Sequence, residues 1–147
     1  MFGLPPAGPR RAALLLLSAF WIAAGINHFL NPEFYLRIMP PWLPAHAELV
    51  WLSGVAEVVG GAAVLVPRWR STAGWGLVVL LIAIFPANLH MALNPTRFAD
   101  IPPLALYLRL PLQLALIWWA WWATRPEAPS PNATRNQRPR VNTDTFR

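Results

Sequence analysis

A few strongly polar side chains sit inside otherwise apolar stretches of this 147-residue chain. They are Asn27 and His28, Glu57, Asn88 and His90, and Arg109 with Gln113. A charge midway along a membrane-crossing helix costs about 2.5–3.5 kcal/mol on insertion scales, so such groups need a partner or a task. The types suit proton-coupled binding in an apolar slot. Glu57 or His28 can pass a proton, while Arg109 and Asn88 can hold carbonyl oxygens. A packing role stands beside that one, in which Glu57 and Arg109 form an ion pair that sets helix register. Asn27 and Asn88 read as hydrogen-bonding glue between helices. His90 falls near the outer interface and reads as a solvated structural residue.

Helical spacing gathers these groups. Arg109 and Gln113 are four apart and share a face, and Trp21, Gly25 and His28 share another. Glu57 lies among Gly54, Gly60 and Gly61, with Ser53 beside it; small residues let neighbouring backbones approach closely. Pro86 cannot donate to the carbonyl of Ile82, which predicts a kink with Asn88 placed to satisfy freed groups. The candidate polar pocket is therefore His28, Glu57, Asn88, Arg109 and Gln113, with Gly25, Gly54, Gly60, Gly61 and Pro86 as packing positions. No HExxH, phosphate-loop or GxGxxG pattern is present, and the spacing of His and Glu predicts no metal site.

Four apolar runs must position these groups: about 12–30, 49–66, 72–93 and 104–124. Each is near the roughly 20 residues that span about 30 Å of hydrocarbon. Backbone in lipid must satisfy its own hydrogen bonds, so the runs are predicted to be helices. The expected fold is an all-α four-helix transmembrane bundle. The first run continues to Leu30, beyond a signal-peptide core, and is kept as a helix. At about 1.5 Å per residue, His28 lies about 25 Å from Arg11, Asn88 about 27 Å from Arg70 and Arg109 about 24 Å from Arg125. Glu57 lies about 16 Å from Arg68, and Gln113 about 18 Å from Arg125. All four runs thus put polar groups in one half of the bilayer.

Composition agrees. The chain is 56% hydrophobic and 12% charged, about half the charge of a soluble domain. With no cysteine, disulfides, thiol relays and Cys-ligated clusters are excluded. The net charge of +6 comes from 12 arginines and no lysine. With both termini cytoplasmic, only Arg37 and Arg97 fall in outer loops, so the excess reads as an orientation signal rather than a nucleic-acid surface. Trp42 and Trp51 sit near the outer interface, and Trp69, Trp75, Trp118, Trp119, Trp121 and Trp122 near the inner one. The outer loop from Asn31 to Glu48 is aromatic and proline-rich. It predicts a short segment on the membrane surface that caps the bundle or covers a pocket. Residues 1–11 read as a cytoplasmic N-terminus and 125–147 as a disordered basic tail.

The runs GINHFLNPEFYLRIMPPWLP (25–44), SGVAEVVGGAAVLVPRWR (53–70), FPANLHMAL (85–93) and RLPLQLALIWWAWW (109–122) together resemble the DoxX-like family. The resemblance covers about residues 12–124 and implies a small multi-pass protein of the bacterial inner membrane. It makes His28, Pro32, Pro40, Pro44, Gly54, Glu57, Gly61, Pro86, Asn88, Arg109 and Gln113 the motif positions. The family's name traces to a subunit of a thiosulfate:quinone oxidoreductase. It thus implies a subunit of a quinone-linked redox complex, with quinone as ligand. Nothing in the chain holds a flavin, haem or cluster, so electrons would come from a redox partner protein and the chain is not expected to be an enzyme by itself. A binding or transport module for a small solute or lipid, and a structural assembly subunit, are the alternatives.

Overall fold

The computed structural model describes residues 8–126, and over them the chain is helical, with no strand. Five α-helices follow in order: α1 (Pro9–Leu30), α2 (Pro32–Ile38), α3 (His46–Ala63), α4 (Arg70–Leu93) and α5 (Pro103–Thr124). A single 3-10 turn, Pro95–Phe98, precedes α5. Residues 1–7 and most of the expected tail lie outside the described residues.

Proline punctuates the whole chain. α1, α2, the 3-10 turn and α5 each begin on a proline. Its fixed φ suits the first helical turn, where its missing N–H is no loss. α3 starts three residues earlier than the expected 49–66 and ends at Ala63. Pro67 stops it, because the residue before a proline is pushed out of the helical region and the preceding turn unwinds. Arg70 opens α4. α4 runs on through Pro86, and α5 through Pro111.

Three helices, α1, α4 and α5, are long and apolar enough to cross a membrane. α3, expected as a fourth, is not among them, since His46, Glu48 and Glu57 lie within its 18 residues. Its packing is nonetheless the most intimate in the molecule. α1 packs chiefly on α3, and α4 on α5; lesser contacts join α3 to α4 and α1 to α5. A Cβ on Gly25 would lie 2.5 Å from the Gly54 carbonyl oxygen, and one on Gly54 would lie 3.1 Å from the Gly25 oxygen. Near the other end of α3, a Cβ on Gly61 would meet Trp21 Cβ at 3.0 Å. Contacts pairing 25 with 54 and 21 with 61 run in opposite directions along the two helices, so α1 and α3 are antiparallel. Gly60 faces Leu77 of α4, and Gly74 of α4 faces Thr124 of α5.

Two apolar clusters fill the interior. One joins Leu14, Leu17 and Trp21 to Val64, Leu77, Leu81, Ala120 and Ala123. The other, smaller one joins Ile38, Met91, Phe98 and Leu106. Arg10 donates to the carbonyls of Ala123 and Arg125, which brings the start of α1 and the end of α5 to one end of the molecule. The outward faces are also apolar: Leu16 and Phe20 on α1, Val55 and Val59 on α3, Val79 and Ile82 on α4, and Leu112 and Trp118 on α5 are all exposed.

Candidate functional site

The close α1–α3 crossing assembles the site. His28 lies beside Gly54, and Glu57 is three residues further along α3, a rise of about 4.5 Å. That distance is within reach of its side chain. His28 Nε2 lies 3.4 Å from Glu57 Oε1. The histidine is 7% and the glutamate 3% exposed, so this is a buried pair. The other ring nitrogen, Nδ1, lies 3.0 Å from the Val50 carbonyl oxygen and 3.2 Å from Ser53 Oγ. Ser53 Oγ in turn donates to the same carbonyl at 2.9 Å. An acceptor carbonyl at Nδ1 places a hydrogen there and leaves Nε2 to face the carboxyl.

α2 closes the outer side of the pair. The Tyr35 ring stacks on the His28 imidazole, with centroids 3.6 Å apart and planes inclined by 22°. Asn27 donates to the Tyr35 hydroxyl at 2.8 Å, and Asn31 donates to Asn27 Oδ1 at 2.6 Å. Burial pushes the Tyr35 hydroxyl above its ordinary range. The hydrogen bond from Asn27 opposes this, Glu57 adds to it and Arg109 opposes it. Tyr35 thus senses both expected charges of the pocket.

The expected ion pair between Glu57 and Arg109 is replaced by another arrangement. Glu57 pairs with His28, while the Arg109 guanidinium lies 5.9 Å from the centroid of the Phe34 ring. Arg37 flanks the same ring at 5.9 Å and binds Asp100 at 2.8 Å. The physical reason lies in register: the close approach at Gly25 and Gly54 gives Glu57 a partner on α1 before α5 can supply one.

Asn88 and Gln113 form a second unit. Asn88 Nδ2 donates to Gln113 Oε1 at 3.0 Å, and Gln113 Nε2 donates to the Leu81 carbonyl. Asn88 was expected to serve the backbone freed by Pro86. Its bond goes to Gln113 instead, and Gln113 supplies the amide that reaches the backbone of α4. No hydrogen bond links this unit to His28 and Glu57, so the five expected pocket residues form two pairs and an arginine. His90 accepts at its carbonyl from Asn94 and meets Phe98 edge-on.

Among the described residues, two buried side-chain atoms have no hydrogen-bond partner: Glu57 Oε2 and Trp21 Nε1. An open cleft of about 470 Å³ lies at the corner of α1 and α2, lined by Leu30, Asn31, Pro32, Glu33, Phe34 and Arg37. It reaches Phe34, whose neighbour Tyr35 covers His28. No cluster of three His, Asp or Glu side chains that could hold a metal forms among the described residues. Tyr35, Phe34 and the Val50 carbonyl were not among the expected site residues. The aromatic character of the outer loop was the available signal for the first two; a backbone carbonyl leaves none.

Residues 17–124 match the family described as Domain of unknown function (DUF8561). No curated protein and no solved structure matches the chain.

Proposed function

The chain belongs to the DUF8561 family, and we propose, on the resemblance of its motifs, that it is a DoxX-like, multi-pass protein of the bacterial inner membrane serving a quinone-linked redox complex. In this reading α3 crosses the bilayer with α1, α4 and α5 as a four-helix bundle. Ser53 and Glu57 of α3 face His28 of α1, and the outward Trp51, Val55 and Val59 present apolar surface to lipid. Lipid contact would therefore not see Glu57. Both termini lie in the cytoplasm, following the arginine bias, and α2 lies on the outer surface.

The observation that carries the functional reading is the buried His28–Glu57 pair, covered by Tyr35 and holding one unpartnered carboxyl oxygen. A quinone exchanges protons when its redox state changes, so its site needs a proton-handling group in an apolar setting. The chain supplies that group and leaves electron transfer to a redox partner protein. The cleft beside Phe34 is the entry for the ring, with the Arg109 and Arg37 guanidinium groups near its carbonyl oxygens.

Protein purified in mild detergent tests the reading. Extraction and mass spectrometry are expected to find quinone at near-equal molar amount. Glu57→Gln and Arg109→Gln, both folded, are expected to lose it. Bulk phospholipid alone, equal in all three samples, would overturn it. One observation favours a structural assembly subunit as the second reading: Asn88, Gln113 and the Leu81 carbonyl form a chain of bonds that welds α4 to α5. That reading predicts loss of stability, without loss of a ligand, when Glu57 is changed.

A further inference from the structure

The hydrogen-bond partners of His28 decide how many protons its pair with Glu57 holds. The Val50 carbonyl can only accept, so Nδ1 carries a hydrogen. Ser53 Oγ gives its own hydrogen to that carbonyl and therefore also meets Nδ1 as an acceptor. If Nε2 and Oε1 were both bare, two lone pairs would face one another 3.4 Å apart in an apolar interior. One hydrogen between them removes that conflict, whether it is carried by the carboxyl or by the imidazole. Three of the pair's four polar atoms are then occupied: Nδ1 by Val50 and Ser53, and Nε2 and Oε1 by each other. The fourth, Glu57 Oε2, is buried and has no partner.

We infer that His28 and Glu57 form a single proton-binding site that holds one shared proton at rest and exchanges protons through Glu57 Oε2. A proton arriving on Oε2 lets the one on Oε1 pass to Nε2. The pair then holds two protons, an imidazolium beside a neutral acid, and the reverse step releases one. No bond to carbon changes and no electron moves. The groups around the pair set its environment. α2 contributes the Tyr35 ring against the imidazole, and the charge of Arg109 on α5 reaches Tyr35. Asn88 of α4 is uncharged and bonded to Gln113. Trp21 Nε1, on the face of α1 that carries His28, is a second buried and unpartnered polar atom, and it is a donor where Oε2 is an acceptor. A proton carrier with a hydroxyl group would donate to Oε2. The inference deepens the proposed quinone-linked reading, which supplies such a carrier, but it is read out without quinone.

The experiment uses the full chain in lipid nanodiscs. The glutamates are Glu33, Glu48, Glu57 and Glu127; replacing the other three with Gln leaves Glu57 alone, so 13C-glutamate labelling marks it in infrared spectra. Nitrogen NMR of 15N-histidine follows His28, with His46→Gln and His90→Gln removing the other rings. The expected result is an exchangeable carboxyl signal from Glu57 that changes over the same pH interval as the His28 ring, as coupled groups do. His28→Gln, which removes the ring that shares the proton, is expected to change the Glu57 carboxyl signal. Independent transitions, or a Glu57 signal that stays ionised and non-exchanging throughout, would overturn the inference. Absence of quinone from the purified protein, with the coupled transition present, would remove the quinone reading and leave the proton site standing.

Discussion

The two oxygens of Glu57 have different surroundings, and substitutions there separate charge from packing. In Glu57→Gln the amide N–H can donate to His28 Nε2, so the contact survives. The expected loss is about 1 kcal/mol or less, near the net worth of one hydrogen bond. His28→Ala leaves the carboxyl buried without its partner and is expected to cost about 3–5 kcal/mol. Unfolding titrations in detergent compare the two, and equal losses would contradict the pairing. Tyr35 adds a pH dependence whose sign follows from its burial. Its folded value is raised, so the stability linked to its neutral hydroxyl is fully present below the ordinary value near 10. That stability is lost as pH rises through the raised folded value. Tyr35→Phe keeps the stack on His28, gives up the bond from Asn27 at a cost of about 0.5–1.5 kcal/mol, and is expected to remove that alkaline decline.

Helix positions tolerate change according to what stands opposite them. A methyl group added at Gly54 would meet His28 Cβ at 2.8 Å and the Gly25 oxygen at 3.1 Å. Neither can retreat without parting α1 from α3. Gly54→Ala is expected to destabilise by about 1–3 kcal/mol, as overpacked interiors do, and to separate His28 from Glu57. Gly76 has nothing within 4 Å of the same point, so Gly76→Ala is expected to be neutral or to stabilise α4 by up to about 1 kcal/mol through helix propensity. Thermal unfolding of the pair distinguishes a specific crossing from a general intolerance of alanine. The start of α3 is a third case. Ala45 precedes it with φ 54°, in the left-handed region. A side chain there is strained by roughly 1–2 kcal/mol. Ala45→Gly is expected to raise the melting temperature despite the added freedom of the unfolded chain.

Across the molecule, α2 is tied to the loop before α5 by Arg37 and Asp100. The hydrogen bond from Arg37 holds the Asp100 carboxyl below its ordinary range. A carboxyl lowered in the folded state adds stability above its ordinary value near 3.9 and loses it as pH falls through the lowered one. Asp100→Asn is expected to flatten that acid limb, measured by unfolding against pH, and to loosen α2, and with it Tyr35, over His28. The effect is small because both groups are exposed and screened. The bundle proposal has its own test: reporter fusions after Leu93 and after Arg125 are expected on opposite faces of the membrane. Reporters on the same face would mean that α5 does not cross.

Much of this was readable from residue order, and the limits have physical causes. The apolar runs, the proline boundaries and the scarcity of charge are local properties, and hydrocarbon length with backbone self-satisfaction turns them into long helices. Glycines beside a glutamate likewise announced a close crossing. Counting rise per residue placed His28 with Asn88 and Arg109 on one level, and Glu57 with Gln113 on another. The structure instead pairs His28 with Glu57 and Asn88 with Gln113, across those levels. Rise locates a Cα along its own helix. It does not fix the register between two helices, nor the reach of a side chain. Register came from the backbone contact at Gly25 and Gly54, and the Val50 carbonyl that orients His28 has no signature in residue type. Residue order therefore determined the long apolar helices and that polar groups lie along them. The tertiary structure alone decided which of those groups meet, because partner choice depends on interhelical distances that no single segment encodes.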